Sequence, residues 1–249
     1  MRVSIITVCF NSCSTIGDSL ISVQEQSYNN IEHIIIDGGS TDNTLKVIAA
    51  KGIHVSKIIS ERDLGIYDAM NKGIALATGD IIGILNSDDY YADKMIIEKI
   101  VKKFKTKGCD SLFGNLDFVT KNTEEKVIRR WKSSPFYAGS FANGWHPPHP
   151  TFFVKRDIYE KYGNYDISLD VSADFELMLR MIEKNTISTY YLDETIVKMR
   201  YGGESTSSIK KIVQGNRNIM KAFKKNNIPV SMFYPIIRLL PKVKQFLTR

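Results

Sequence analysis

Residues 79–90 read GDIIGILNSDDY. A short apolar run, Ile81–Leu85, stops at Asn86-Ser87-Asp88-Asp89, where two carboxylates stand side by side. Neighbouring like charges repel unless a positive group compensates. A run of this length, bounded by Gly and by Asn, Ser and Asp, reads as a buried strand entering a turn.

Moving outward, the same pattern recurs. Val3–Cys9 (VSIITVC), His33–Asp37 (HIIID) and Lys57–Ser60 (KIIS) are strand candidates rich in β-branched residues. Near-continuous apolar strands suit a sheet covered on both faces. Between them lie helical patterns: Ile16, Leu20 and Val23 behind a Ser14 cap, then a Thr41-capped helix to Lys51 with Leu45 and Ile48 inward. Residues 66–77 and Met95–Lys105 supply two more, the latter with Ile96, Ile100 and Phe104 on one side. This βαβαβαβα order predicts an α/β fold, a mostly parallel Rossmann-like sheet with helices on both faces. Residues 111–150 lose the rhythm. A long helix is expected over Ala173–Lys184 and a basic helix near 209–226.

The 249 residues suffice for one large domain or two small ones. No run of about 18 apolar residues occurs, so no spanning helix is expected. MRVSIITVCFN turns polar too quickly for a signal peptide and reads as a strand. Cys9, Cys13 and Cys109 have no CxxC spacing, which fits a reducing cytoplasm better than a disulfide framework or a zinc site. The net charge of +7 is uneven: Ile209–Arg249 holds ten Lys and Arg and no acid, leaving 24 basic against 27 acidic residues before it.

Ligands of open parallel sheets bind beyond the carboxyl ends of the strands. There the second strand ends in Asp37, the third is followed by Glu61 and Asp63 around Arg62, and the fourth ends at Asn86–Asp89. Singly, each is an ordinary turn residue. Together after successive strands they point to a shared site. Convergent carboxylates suit a hard divalent cation, Mn2+ or Mg2+, which binds through one or two of them plus substrate phosphates. Neither GxxxxGK[ST] nor GxGxxG is present, so a phosphate ligand would depend on metal rather than on a glycine-rich cradle.

VSIITVCFN, IIIDGGSTDNT, SERDLGIYDAMNKGIALATGD and LNSDD, in this order and spacing, resemble the family 2 glycosyltransferases of the GT-A fold over roughly residues 1–205. The resemblance implies transfer of a sugar from a nucleotide-diphosphate donor, usually with inversion. It makes 1–115 the nucleotide-sugar-binding half, 116–208 the acceptor and catalytic half of the same domain, and 209–249 a basic helix and amphipathic tail. It implies that Asp37 reads the donor base, often uracil, and that Thr7, Val8, Asn11, Glu61, Asn71, Lys72 and Asp88 line the nucleotide site. Asp89 would hold the metal, with Asp88 and His149 beside it. Asn86 stands where many members have Asp.

Direct displacement requires a base for the acceptor hydroxyl. Asp174 lies behind a plausible Ser172 cap, where the helix dipole keeps a carboxylate ionised. By spacing alone it is a helix-start residue; the resemblance makes it the base, with Glu176 as a substitute and Ala173 in place of the usual acidic neighbour. In GWHPPHPTFF, His146 and His149 lack a third His or Cys nearby and read as packing or loop residues. The resemblance puts this segment beside acceptor and diphosphate, with Trp145 and His146 on the acceptor side. Arg200–Thr206 (RYGGEST) resembles a late loop over the donor phosphates. The QxxRW motif of processive synthases is absent, which favours single addition.

Residues 228–249 (IPVSMFYPIIRLLPKVKQFLTR) interleave large apolar and basic side chains, as in segments lying on a membrane. Packing on the body or on a second copy is the alternative. A lipid-linked acceptor at the inner membrane face would give the tail a purpose. Nucleic acid is disfavoured, because no recognised module and no aromatic-interleaved basic patch occurs in the body. The main alternative for the whole chain is a nucleotide-sugar-binding protein without catalysis.

Overall fold

The computed structural model describes residues 1–120, 126–202 and 209–239. Its elements run β1 (Val3–Cys9), α1 (Ile16–Gln24), β2 (Ile31–Asp37), α2 (Thr44–Lys51), β3 (Val55–Ser60), α3 (Ile66–Leu76), β4 (Ile81–Ile84), β5 (Asp89–Tyr91) and α4 (Ile96–Lys107). Then follow β6 (Ser111–Val119), β7 (Val127–Trp131), β8 (Phe153–Lys155), α5 (Arg156–Tyr162), α6 (Ala173–Met178), β9 (Thr189–Arg200), α7 (Ile209–Lys225) and α8 (Tyr234–Ile237).

One sheet holds the molecule, in the order β3-β2-β1-β4-β8-β6-β9-β5, with β7 added to β6. The first four strands are mutually parallel. β8 runs antiparallel to both β4 and β6, and β9 runs parallel to β6. The sheet is continuous across residue 115, inside β6. Alternation along β1 explains the two covered faces. Ile6 and Val8 join Ile34, Ile36 and the α3 residues Met70 and Ile74 in one core. Val3 and Ile5 face the α4 residues Ile97, Ile100 and Phe104 in a second. Cys9 and Ile35 meet Ile16 and Leu20 of α1 and Ile48 of α2.

Local boundaries differ from the sequence reading in instructive ways. α2 begins at Thr44, with Asn43 as N-cap, because Asp42 turns its carboxylate onto the Thr44 N–H at 2.9 Å and ends the loop there. The N-cap of α1 is Thr15. The expected single helix from Ala173 is α6 followed by a π-helical turn, Leu179–Lys184. Ser172 is its N-cap, at φ 70° and with no side-chain capping bond. Where the rhythm is lost after residue 111, β6 and β7 pair locally, while β8 and β9 make long-range pairings that local sequence does not signal. Residues 203–206 of the late loop and 240–249 of the tail lie outside the described residues.

Candidate functional site

β1 is the central strand of the parallel half: the chain builds β2 and β3 to one side and returns to place β4 on the other. This is a topological switch point, where the loops after β1 and β4 diverge and leave a crevice. The Ser87 hydroxyl donates to the Ser12 hydroxyl at 2.9 Å, tying the two loops. Asp37 ends β2 beside it, fully buried. Its Oδ2 accepts from the Ser60 hydroxyl at 2.6 Å and the Ser40 N–H at 3.0 Å, and its Oδ1 accepts from the Ser40 hydroxyl. Burial alone would raise its pKa; these donors outweigh burial and hold the carboxyl below its ordinary range. Asp63 sits close by because Gly38 has no side chain: a Cβ there would lie 2.9 Å from the Asp63 carboxylate. Burial, with the charges of Asp68 and Asp37, pushes the Asp63 pKa up against the pull of Lys72.

The acidic turn after β4 is organised differently. Asp89 is fully enclosed in β5, paired to Met199 of β9. Its Oδ2 accepts from the Asn86 amide at 3.2 Å. Its Oδ1 and the Asn86 Oδ1 are buried with no hydrogen-bond partner among the described residues. Burial and the neighbouring Asp88 charge push the Asp89 pKa well up, while Asn86 and Arg200 pull it down. Arg200, at the end of β9, is the positive group the paired acids require. Its guanidinium donates to the Asp88 carbonyl at 2.9 Å, pairs with Asp18, and lies 5.0 Å from the Tyr90 ring centroid. The Asp88 side chain is the more exposed of the two acids.

A second group forms around Asp174 in the first turn of α6. Its Oδ1 accepts from the Tyr67 hydroxyl at 3.1 Å, and its Oδ2 lies 3.1 Å from His149 Nδ1. Tyr67 comes from α3 and stacks on Tyr165 with centroids 5.5 Å apart. Burial and the Asp174 charge push the phenol's pKa far up, so Tyr67 remains a donor. His149 starts a 3-10 turn bolted to β6: the Thr151 hydroxyl donates to the carbonyls of Pro148 (2.8 Å) or Gly114 (3.1 Å) and accepts the Gly114 N–H at 3.2 Å. Arg238, near the C-terminus, is within electrostatic reach of Asp174.

A scan against family models matches residues 4–163 to "Glycosyl transferase family 2". The chain belongs to glycosyl transferase family 2. An uncharacterized glycosyltransferase of Mycobacterium tuberculosis is 33% identical over 181 residues, 72% of this chain and 68% of the relative. A PGL/p-HBAD biosynthesis glycosyltransferase of Mycobacterium bovis is 28% identical over 215 residues, 84% and 80% of the two chains. Among solved structures, residues 1–349 of S. aureus TarS in complex with UDP-GlcNAc superpose with TM-score 0.70 at 17% identity, covering all of this chain and 73% of that one. The mannosyltransferase PcManGT of Pyrobaculum calidifontis, in complex with GDP-Man and Mn2+, gives 0.64 at 16% identity, with 97% and 69% covered. These likenesses establish the GT-A architecture.

For this family 2 enzyme, several side chains singled out for the nucleotide are already engaged within the protein. The Thr7 hydroxyl bonds His33 Nε2 at 3.0 Å inside the sheet, where burial lowers the His33 pKa to about 3. Val8 is core. Asn11, at φ 48°, accepts the Thr41 N–H at 2.9 Å and so fixes the loop after β2. Asn71 exchanges two 2.9 Å hydrogen bonds with the Tyr165 backbone and holds the ring that supports Tyr67. Lys72 pairs with Glu61 at 2.8 Å and with Asp68 at 3.6 Å.

The expected metal group of Asp88, Asp89 and His149 is not assembled. Among the described residues no three His, Cys, Asp or Glu side chains could together hold a metal. His149 is drawn to Asp174 instead. Glu176 is no substitute base, because it is fully buried and held by Arg180 (3.0 Å) and Asn226 (3.0 Å). Trp145 packs with Phe113, Phe136 and Phe141 at centroid distances of 5.3–5.7 Å. His146 meets the rings of Trp131 and Phe175 at 5.0 and 5.5 Å. Sequence reasoning missed Tyr67 and Arg238 altogether and saw in Arg200 only the start of a loop. Tyr67 lies within GIYDAMNKG, but only the fold brings positions 67, 149 and 174 together.

Proposed function

We propose that this enzyme transfers a sugar, with inversion, from a nucleotide-diphosphate donor, a UDP-sugar, to a hydroxyl of a glycan or lipid-linked acceptor. The observation that carries the reading is Asp174, one carboxylate oxygen held by Tyr67 and the other by His149. A carboxylate fixed by two donors from separate elements is preorganised to receive the acceptor proton, and positioning supplies much of the rate for so weak a base. At the switch point Asp37 is kept ionised by Ser40 and Ser60, and its turn would face the pyrimidine, the carboxylate itself being fully buried on those donors. Asp88 carries the outward charge beside the nucleotide, and Arg200 anchors the turn that presents it.

The acidic turn fits a divalent cation, Mn2+ or Mg2+, because the orphaned oxygens of Asn86 and Asp89 are acceptors lacking donors beside an outward carboxylate. Such an ion, completed by the donor's phosphates, would stabilise charge on the departing diphosphate. Asp88 would be its main protein ligand, with Asn86 and Asp89 behind it. We also infer single addition rather than polymerisation, surface-polysaccharide assembly as the pathway, and work in the cytoplasm at the inner membrane face. Among the described residues no helix is long and apolar enough to cross a membrane.

Thermal shift against a panel of nucleotide sugars with Mn2+ tests the reading. A donor present at 100 times its Kd adds about 2.7 kcal/mol of stability, and Asp88→Ala removes the Mn2+-dependent part. Binding of UDP with no turnover of any nucleotide sugar would mark an inactive binding protein.

A further inference from the structure

The segment after α7 turns back onto the body. Tyr234 is its anchor: 1% exposed, with its ring 4.9 Å from Phe223 of α7 and 6.3 Å from Phe175, the residue after the base. Arg238 bonds Asn216 of α7 at 3.1 Å. Its backbone lies so close to Gly144 that a Cβ there would be 2.9 Å from the Arg238 Cα, directly before Trp145 and His146. The segment therefore borders the acceptor side of the site.

Among the described residues its other face is exposed. Met232, Phe233, Ile236 and Leu239 are 77%, 62%, 64% and 51% exposed. Four large apolar side chains within eight residues form one ridge, and isolated surface hydrophobics do not explain it. Beside the ridge runs α7. Its buried face carries Asn218, Ile219, Ala222 and Phe223. Its exposed face carries Lys210, Arg217, Lys221 and Lys224. These four stand at positions i, i+7, i+11 and i+14, one stripe at about 3.6 residues per turn. The segment packs along the side of α7 that bears Asn216 and Phe223, at the edge between the buried and basic faces. No acid occurs from Ile209 to Arg249.

We propose that this ridge and the α7 stripe form a docking surface for an anionic lipid bilayer, with the base side of the site at the membrane. An apolar ridge flanked by a cationic stripe fits acyl chains below and anionic headgroups beside them. A second copy of this chain would bring stripe against stripe and repel. Resting on the glycosyltransferase reading, the surface gives the acceptor its class: a lipid-linked hydroxyl that reaches Asp174 from the bilayer past Tyr234 and Gly144.

Co-sedimentation of the full chain with vesicles tests the surface without any sugar donor. The protein is expected to bind phosphatidylglycerol-containing vesicles more than about fivefold better than pure phosphatidylcholine, the effect of one basic residue near the headgroups. Phe233→Ser with Ile236→Ser is expected to cut binding at least about tenfold, with an unchanged melting temperature and unchanged nucleotide-sugar hydrolysis, since both side chains are exposed. Lys210→Glu with Lys221→Glu is expected to abolish the preference for anionic lipid. Equal binding to the two vesicle types, binding to neither, or full binding by the serine variant would overturn the proposal. So would a wild-type dimer that the serine variant dissolves. Loss of nucleotide-sugar turnover in the wild type would instead count against the enzymatic reading and leave the vesicle result standing.

Discussion

The two carboxylate groups of this molecule are built on opposite plans. At the switch-point edge, Asp37 takes its donors from Ser40, three residues on, and from Ser60 on the adjacent strand. Asp174 takes its donors from Tyr67 and His149, which are 107 and 25 positions away in the chain and lie on other elements. The first is a property of strand ends, and any parallel sheet with polar turns approaches it. The second exists only in the finished fold. An edge made locally suits the proposed donor binding; a carboxylate held by distant elements suits the proposed role of an aimed base. Donor binding and turnover are therefore expected to separate under mutation.

The strongest way to break this comparison is Asp174→Asn. It keeps the shape and the Tyr67 contact but removes the base, so kcat is expected to fall about 10²- to 10⁴-fold with nucleotide affinity unchanged. A parallel loss of UDP binding would erase the division of labour. Arg180→Ala probes what holds the base side in place. Arg180 joins buried Glu176 to the carbonyls of Gly163 and Asn164, and breaking a buried pair costs about 3–5 kcal/mol. Denaturant titration is expected to show that loss.

A smaller effect sharpens the contrast within the donor edge itself. The folded pKa of Asp37 is lowered, so its contribution to stability is present above its unfolded pKa and lost as pH falls through the folded value. The folded pKa of Asp89 is raised, so its contribution is full below the unfolded pKa and lost as pH rises through the folded value. Without divalent cation at neutral pH, Asp37→Asn is expected to destabilise by about 1–3 kcal/mol and Asp89→Asn to stabilise. Both differences shrink at acid pH, as melting curves from pH 3 to pH 8 would record. Tyr67→Phe removes a single hydroxyl and with it one hydrogen bond to a charged group, about 1.5–3 kcal/mol, so kcat is expected to fall roughly tenfold or more with KM for the donor unchanged.

The same contrast explains how much was legible in the sequence. β1, β2 and β4 were readable because buried parallel strands are apolar runs, and β3, the half-exposed edge strand, was readable from its β-branched Ile58-Ile59. Asp37 could be singled out as the acid at a strand end, and Asp174 only through the family resemblance. The roles of Thr7, Asn11 and Asn71 could not, because their polar groups find protein partners that only tertiary contacts supply: His33, the Thr41 backbone and the Tyr165 backbone. The resemblance makes Asp89 the metal holder, whereas strand pairing with β9 encloses its side chain and leaves Asp88 the more exposed acid. β8 and β9 escaped notice because their partners lie far away in the chain: β8 joins β4 and β6, and β9 joins β6 and β5 from 189–200. By its neighbourhood in the chain His149 reads as a packing or loop residue and the resemblance puts it beside a metal; the turn bolted to β6 directs it to Asp174.

In the proposed division of labour Asp88 serves binding and Asp174 serves turnover. Calorimetric titration of UDP into wild type, Asp88→Ala and Asp174→Asn, with and without Mn2+, tests it directly. Mn2+ is expected to tighten UDP binding equally in wild type and Asp174→Asn, and not in Asp88→Ala. Unchanged Mn2+ dependence in Asp88→Ala, or its loss in Asp174→Asn, would contradict it.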